Sequence, residues 1–153
     1  MKTLKDHINE ALKIGKNLSD WTSYSYQPKT KKELKEIIKK RISKEGPNCN
    51  LNDVDTSLIT DMSWLFYVSE FNGDISNWDV SNVNDMNCMF ERSKFNGDIS
   101  NWNVSNVDDM SDMFAYSGFS QDISNWNINK NCNVASMFYE CPIKEEFKPE
   151  LPE

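Results

Sequence analysis

Few residues in this chain are of a type and spacing that could do chemistry. It holds a single histidine, His7, and four cysteines at positions 49, 88, 132 and 141. No two cysteines form a CxxC pair, and none lies near His7, so no zinc-ligand pattern is present and no metal is expected. With one histidine, a nucleophile–base–orienter triad has little to draw on. The GxSxG, HExxH, GxGxxG and phosphate-loop signatures are absent. Carboxylates are abundant, yet they recur at fixed positions. Asp74, Asp98 and Asp122 each precede an isoleucine, and Asp61, Asp85 and Asp109 each precede a methionine. A catalytic pair should break a repeat, not follow it. The first set reads as turn caps and the second as caps for the amides of the segment that follows. Neither an enzyme nor a cofactor is expected.

Two groups could bind a partner. One is the second predicted helix, where Lys31, Lys35, Lys39 and Lys40 form a basic patch with Lys32, Arg41 and Lys44. Solvation of a helix face accounts for most such lysines, so nucleic acid is an unfavoured partner. The other is a set of polar ladders spaced by 24 residues. Asp53, Asn77, Asn101 and Asn125 form one, Asp55, Asp79, Asn103 and Asn127 the next, and Ser57, Ser81 and Ser105 with Asn129 a third.

Those ladders are one expression of an internal repeat that runs through most of the chain. Trp78, Trp102 and Trp126 are 24 residues apart. The same step links Phe71, Phe95 and Phe119, then Ile75, Ile99 and Ile123, and then Phe66, Phe90, Phe114 and Phe138. A degenerate unit precedes the clear ones, with Leu51 and Val54 in the Ile and Trp slots and Ile59, Met62, Leu65 and Phe66 after them. Within each unit Trp78 and Val80 alternate with polar residues, which predicts a short strand. Val83, Met86, Met89 and Phe90 follow at helical steps, which predicts a helical or 3₁₀ turn. Stacked units predict a parallel sheet on one face, with the apolar residues in columns inside. A single unit has too little apolar surface to be stable alone, so neighbours must share faces and the ends need covers.

The N-terminal region supplies a cover. Leu4, Ile8, Ala11, Leu12 and Leu18 give residues 3–18 the stripe of an amphipathic helix. Thr30-Lys31-Lys32-Glu33 reads as a capping box that opens a second helix, which Gly46-Pro47 stops. The expected fold class is therefore an α/β solenoid: four leucine-rich-repeat-like coils of 24 residues, each a short parallel strand plus a short helical turn, capped by N-terminal helices. The domain reading is a helical cap over 1–46, the repeats over 47–142 and a tail over 143–153.

Charge divides along the same line. Residues 1–46 carry twelve Lys and Arg against six Asp and Glu, and residues 47–153 carry five against eighteen, for a total of −7. Such an asymmetry favours electrostatic steering of a partner. No apolar run approaches the ~18 residues of a membrane span and no secretory signal is seen, so a cytoplasmic protein with reduced thiols is expected.

The run Phe71-Asn72-Gly73-Asp74-Ile75-Ser76-Asn77-Trp78-Asp79-Val80-Ser81-Asn82-Val83, with Asp85-Met86 and Met89-Phe90 after it, resembles the BspA-like leucine-rich repeat, also called the DUF285 repeat. The octapeptide at 71–78 recurs intact at 95–102. The resemblance covers about residues 48–141 and is strongest from 71 to 128. It implies a leucine-rich-repeat-like fold and a protein-binding role without catalysis, often adhesion. This chain departs from the adhesin pattern in its few repeats and in lacking an export signal or anchor. The expected function is a protein–protein interaction module, a monomer or weak oligomer. Its partner would meet the polar face of Asp53, Asp55, Asn77, Asp79, Ser81, Asn101, Asn103, Asn125 and Asn127. Two other readings stay open. One is a phage or mobile-element inhibitor that occludes a host enzyme, such as a nuclease of a defence system. The other is nucleic-acid binding through the basic helix.

Overall fold

The computed structural model describes residues 24–152. The predicted first helix, residues 3–18, lies outside them. The second is present as α1, Lys31–Glu45. Thr30 caps it by accepting from the Glu33 amide at 3.2 Å, while Glu33 reaches back to the Lys29 amide at 2.7 Å, one residue beyond the reciprocal partner of a capping box. Gly46 ends it at φ 90°, its amide donating to Ile42 O. Leu34 and Ile38 are buried against the first repeat unit, so this helix covers that end of the stack.

After α1 the structure departs from the expected parallel-strand, leucine-rich-repeat-like solenoid. Among the described residues there is no strand and no sheet, only isolated parallel bridges such as Asp61 to Asp85, Asp85 to Asp109 and Asp109 to Asn133. The predicted strand around Trp78 and Val80 fails because turns close on both sides of it. The Trp78 amide donates to Ile75 O at 3.1 Å, and the Val83 amide to Val80 O at 2.9 Å. Between them Asp79 Oδ1 accepts from the Ser81 amide and hydroxyl, at 3.0 and 2.6 Å. This is an Asx turn, in which the side chain substitutes for a carbonyl and bends the chain. Three residues of alternation are too few for a ladder.

The predicted helical segment is also something else. Along residues 62–69 the amides go alternately to the next unit and to the chain's own turns. Met62, Trp64, Phe66 and Val68 donate to the carbonyls of Asp85, Asn87, Met89 and Glu91, at 2.8–2.9 Å. Leu65, Tyr67 and Ser69 donate three residues back, and the Ser63 amide goes to Asp61 Oδ1. Every amide is satisfied, as a buried backbone requires. Half the bonds are strand-like and between units, and half are turn bonds, so neither regular element results. The cost is left-handed backbone at the third residue of the first and last of these turns, Met62–Leu65 and Phe66–Ser69, as in a type II turn. Trp64, Cys88, Asp112 and Ser136 have φ of 53–60°, and Val68, Arg92, Tyr116 and Glu140 repeat this four residues later at 51–56°.

The interior is built from rings in register. Phe66, Phe90, Phe114 and Phe138 stack at successive centroid distances of 5.5, 5.6 and 5.7 Å. Phe71, Phe95 and Phe119 form a second stack at 6.1 and 6.3 Å. Trp78, Trp102 and Trp126 are buried, and each indole N–H donates to a carbonyl of the preceding unit: Leu51, Ile75 and Ile99 O, at 2.9, 3.2 and 3.0 Å. The polar atom that would make a buried indole costly therefore joins the units instead. At the far end Ile143 and Phe147 pack on the core. A 3₁₀ turn at Glu145–Phe147 brings Phe147 O to the Ile123 amide at 3.0 Å.

Candidate binding surfaces

The nine polar positions singled out in the sequence do not form one uniform surface. Asp53 is half-buried and faces α1, where its carboxylate accepts from Arg41 Nη1 at 2.8 and 3.0 Å. Burial pushes its carboxyl up, but the Arg41 guanidinium and the Ser25 hydroxyl outweigh this and hold it below the usual range. Asp55, Asp79 and Asn103 each bind the amide and hydroxyl of the serine two residues on: Ser57, Ser81 and Ser105. Their first oxygen is spent on shaping the backbone. Asn125 Nδ2 donates to Ser100 O at 3.0 Å and ties two units together. Ser81 is half-buried and is held on both sides, its hydroxyl by Asp79 and its carbonyl by Asn106 Nδ2 at 2.7 Å. Asn127 is exposed and lines a cleft of about 220 Å³ with Glu150, Leu151 and Pro152.

Asn77 and Asn101 differ from these. Both are exposed, and among the described residues neither side chain, nor that of Asn127, makes a hydrogen bond. The Asn77 backbone is held, its amide donating to Asn52 Oδ1 at 2.9 Å. These amides are therefore positioned by rigid units yet remain unpaired.

The basic patch is also divided. Lys31 is bound to Asp61 at 2.8 Å and to the Ser63 hydroxyl. Arg41 is held by Glu45, Asp53 and Asn50 O, which raises its pKa further. Lys35, Lys39 and Lys40 are exposed and have no ion-pair partner among the described residues.

Sequence reasoning missed an exposed aromatic corner. Trp64, Tyr67, Val68, Tyr116 and Tyr139 are all exposed. Trp64 and Tyr67 meet edge to face at 4.8 Å, Tyr116 and Tyr139 at 5.3 Å, and Arg92 lies over the Tyr116 ring at 4.4 Å. A signal was available. These residues occupy slots where the repeat keeps no type: Val68, Arg92, Tyr116 and Glu140 share one slot.

The thiols of Cys49, Cys88 and Cys132 are buried and not poised to react. Burial, together with nearby carboxylates, pushes Cys88 up to about 12 and Cys132 up to about 11, and burial raises Cys49. Among the described residues no group of three His, Cys, Asp or Glu side chains comes together to hold a metal ion. No helix there is long and apolar enough to cross a membrane.

Stacked turns in register, a ring-filled interior and exposed side chains repeated from unit to unit define a tandem-repeat protein. The family described as "Mycoplasma protein of unknown function, DUF285" matches residues 32–150, most of the chain, and the chain belongs to that family. No match was found among curated proteins or among solved structures.

Proposed function

We propose that the chain is a non-enzymatic protein-binding module and that it meets its partner with the polar ladder of Asn77, Asp79, Asn101, Asn103, Asn125 and Asn127. The observation that supports this reading is the state of Asn77, Asn101 and Asn127. Each is exposed and unpaired among the described residues. An amide with both donor and acceptor free, on a backbone already ordered by its neighbours, binds with little further loss of conformational freedom. Asp79 and Asn103 sit between them, their orientation fixed by Ser81 and Ser105. The resemblance to BspA-like repeats points to the same class of role.

The test is cross-linked capture with the Asn77→Lys, Asn101→Lys double variant beside the unaltered chain. These side chains hold nothing inside the protein, so the melting temperature should not move. Loss of the captured partner would support the polar face. Capture of the same partner in equal yield would remove binding from this face.

A further inference from the structure

Between α1 and the first repeat unit lies a groove of about 730 Å³, with Lys35, Lys39 and Ile42 on the helix side and Trp64, Tyr67 and Val68 on the other. We propose that this groove is a second docking site, distinct from the polar ladder, and that its occupant is an acidic, amphipathic helical segment of a partner protein.

The apolar wall is not a product of the fold. The slot of Trp64 holds Cys88, Asp112 and Ser136 in the later units, and that of Val68 holds Arg92, Tyr116 and Glu140. The backbone has the same left-handed turn at all eight positions, so the turn accepts polar residues there. Only in the unit beside α1 are both slots large and apolar, and there Trp64 is 44% and Val68 58% exposed. Exposed Trp and Tyr with aliphatic neighbours are the residues that anchor partner proteins.

Charge identifies the occupant. Lys35 and Lys39 are one helical turn apart on the groove side of α1, both exposed, whereas Lys31 and Arg41 are already engaged by Asp61, Asp53 and Glu45. In a chain of net charge −7, this apolar groove carries cations along one side. The complement is a helix with an apolar stripe and carboxylates four residues apart, which lie on one face and match the lysine spacing. A single-stranded nucleic acid fits less well. The Trp64 and Tyr67 rings are inclined at 68° to one another and so offer no parallel platform for successive bases. Residues 1–23 of the same chain also place two carboxylates, Asp6 and Glu10, four residues apart, but with four lysines against three carboxylates the segment is net positive and does not complement Lys35 and Lys39.

The experiment is fluorescence anisotropy of the full chain with three labelled probes: a designed amphipathic helical peptide of Leu, Phe and Glu, the same peptide with Lys for Glu, and oligodeoxythymidine. The Glu peptide should bind saturably and more weakly as salt rises. Lys35→Glu, Lys39→Glu should reverse the preference towards the Lys peptide, a gain that an unfolded variant would not show. Trp64→Asn removes the ring but suits the left-handed turn, and should weaken binding by about tenfold. Asn77→Lys, Asn101→Lys should leave it unchanged, which keeps failure here separate from failure of the polar-ladder reading. The proposal is overturned if no peptide binds, if Glu and Lys peptides bind alike, if oligodeoxythymidine binds tighter than the Glu peptide, or if Trp64→Asn merely converts a dimer to a monomer in sedimentation.

Discussion

Single residues in this protein are constrained most where two units meet. Gly73 is the clearest case, because a Cβ added there would lie 1.9 Å from Cys49 O and 2.9 Å from its carbonyl carbon. Those are backbone atoms that cannot swing away. At Gly97 the nearest atoms are ring carbons of Phe95 at 2.8 and 2.9 Å, with Gly73 O at 3.3 Å. In the third unit the slot holds Gln121, whose Nε2 reaches Asn96 Oδ1. The crowding thus relaxes along the stack, which the sequence shows as Gly, Gly, Gln. Gly73→Ala should destabilise the protein by more than Gly97→Ala, at the upper end of the roughly 1–3 kcal/mol typical of overpacking, as read from urea midpoints; an equal effect would mean that the first junction opens freely. Val68 gives a change of opposite sign. It is a β-branched residue at φ 52°, with its side chain largely in water. Left-handed backbone costs such a residue about 1–2 kcal/mol, and Asn tolerates it. Val68→Asn should therefore raise stability by about 1 kcal/mol, and an unchanged midpoint would show that the side chain's contacts with the groove offset the strain.

At the scale of elements, what the sequence revealed depended on whether side chains or amides decide the structure. Helix α1 was legible because its start, stop and stripe are written in side chains: Thr30 and Glu33, Gly46, and Leu34 with Ile38. The ring columns were legible because a 24-residue period places Phe on Phe. The strands and helical turns were misread because residues 62–69 and their equivalents send alternate amides in different directions, and a hydrophobic period does not record where an amide donates. The Asp-x-Ser pairs held the missing information. Asp74–Ser76, Asp79–Ser81 and Asp98–Ser100 each mark a bend inside a segment whose apolar pattern looks extended. In the binding surfaces, Asp53 could not be separated from its ladder, nor Lys31 from the basic patch, by spacing alone, since only packing of α1 on the first unit brings Arg41 and Asp61 to them. That docking can be tested. Arg41 is largely buried and holds Glu45, Asp53 and Asn50 O together. Asp53→Ala leaves its guanidinium half paired, at a cost of about 1–2 kcal/mol for a partly buried ion pair. Because units contact only neighbours, hydrogen exchange should quicken in α1 and the first unit and stay unchanged around Phe114 and Phe119. Faster exchange throughout would show instead that the stack unfolds as one block.

For the whole molecule, the question is which way acid moves stability, because two effects oppose each other. Residues 47–153 hold eighteen carboxylates against five cations, and protonation would relieve their mutual repulsion and stabilise the folded chain. Against this stands a set of carboxylates that the fold keeps ionised. Asp74 and Asp98 are held below the usual range by the amides and hydroxyls of Ser76 and Ser100, and Asp122 by the hydroxyl and amide of Ser124. Asp61 is raised by burial but lowered more by Lys31 and Ser63, and Asp53 behaves likewise with Arg41. A folded value below the unfolded one means stability that is fully present above the ordinary carboxylate pKa of about 4 and lost as pH falls through the folded values. These five groups run from the α1 junction through every clear unit, so their loss acts along the whole stack. Stability should accordingly fall below about pH 4 and not rise, as followed by urea unfolding at stepped pH. The triple variant Asp74→Asn, Asp98→Asn, Asp122→Asn separates the two effects. Asn103 already makes the same turn with Ser105, at 3.2 and 2.7 Å, so the backbone can survive the change. The variant keeps the bends and removes three of the protons at issue, and its stability should decline less steeply with acid than that of the unaltered chain. An identical decline would assign acid sensitivity to the α1 junction, where Asp53 and Asp61 remain.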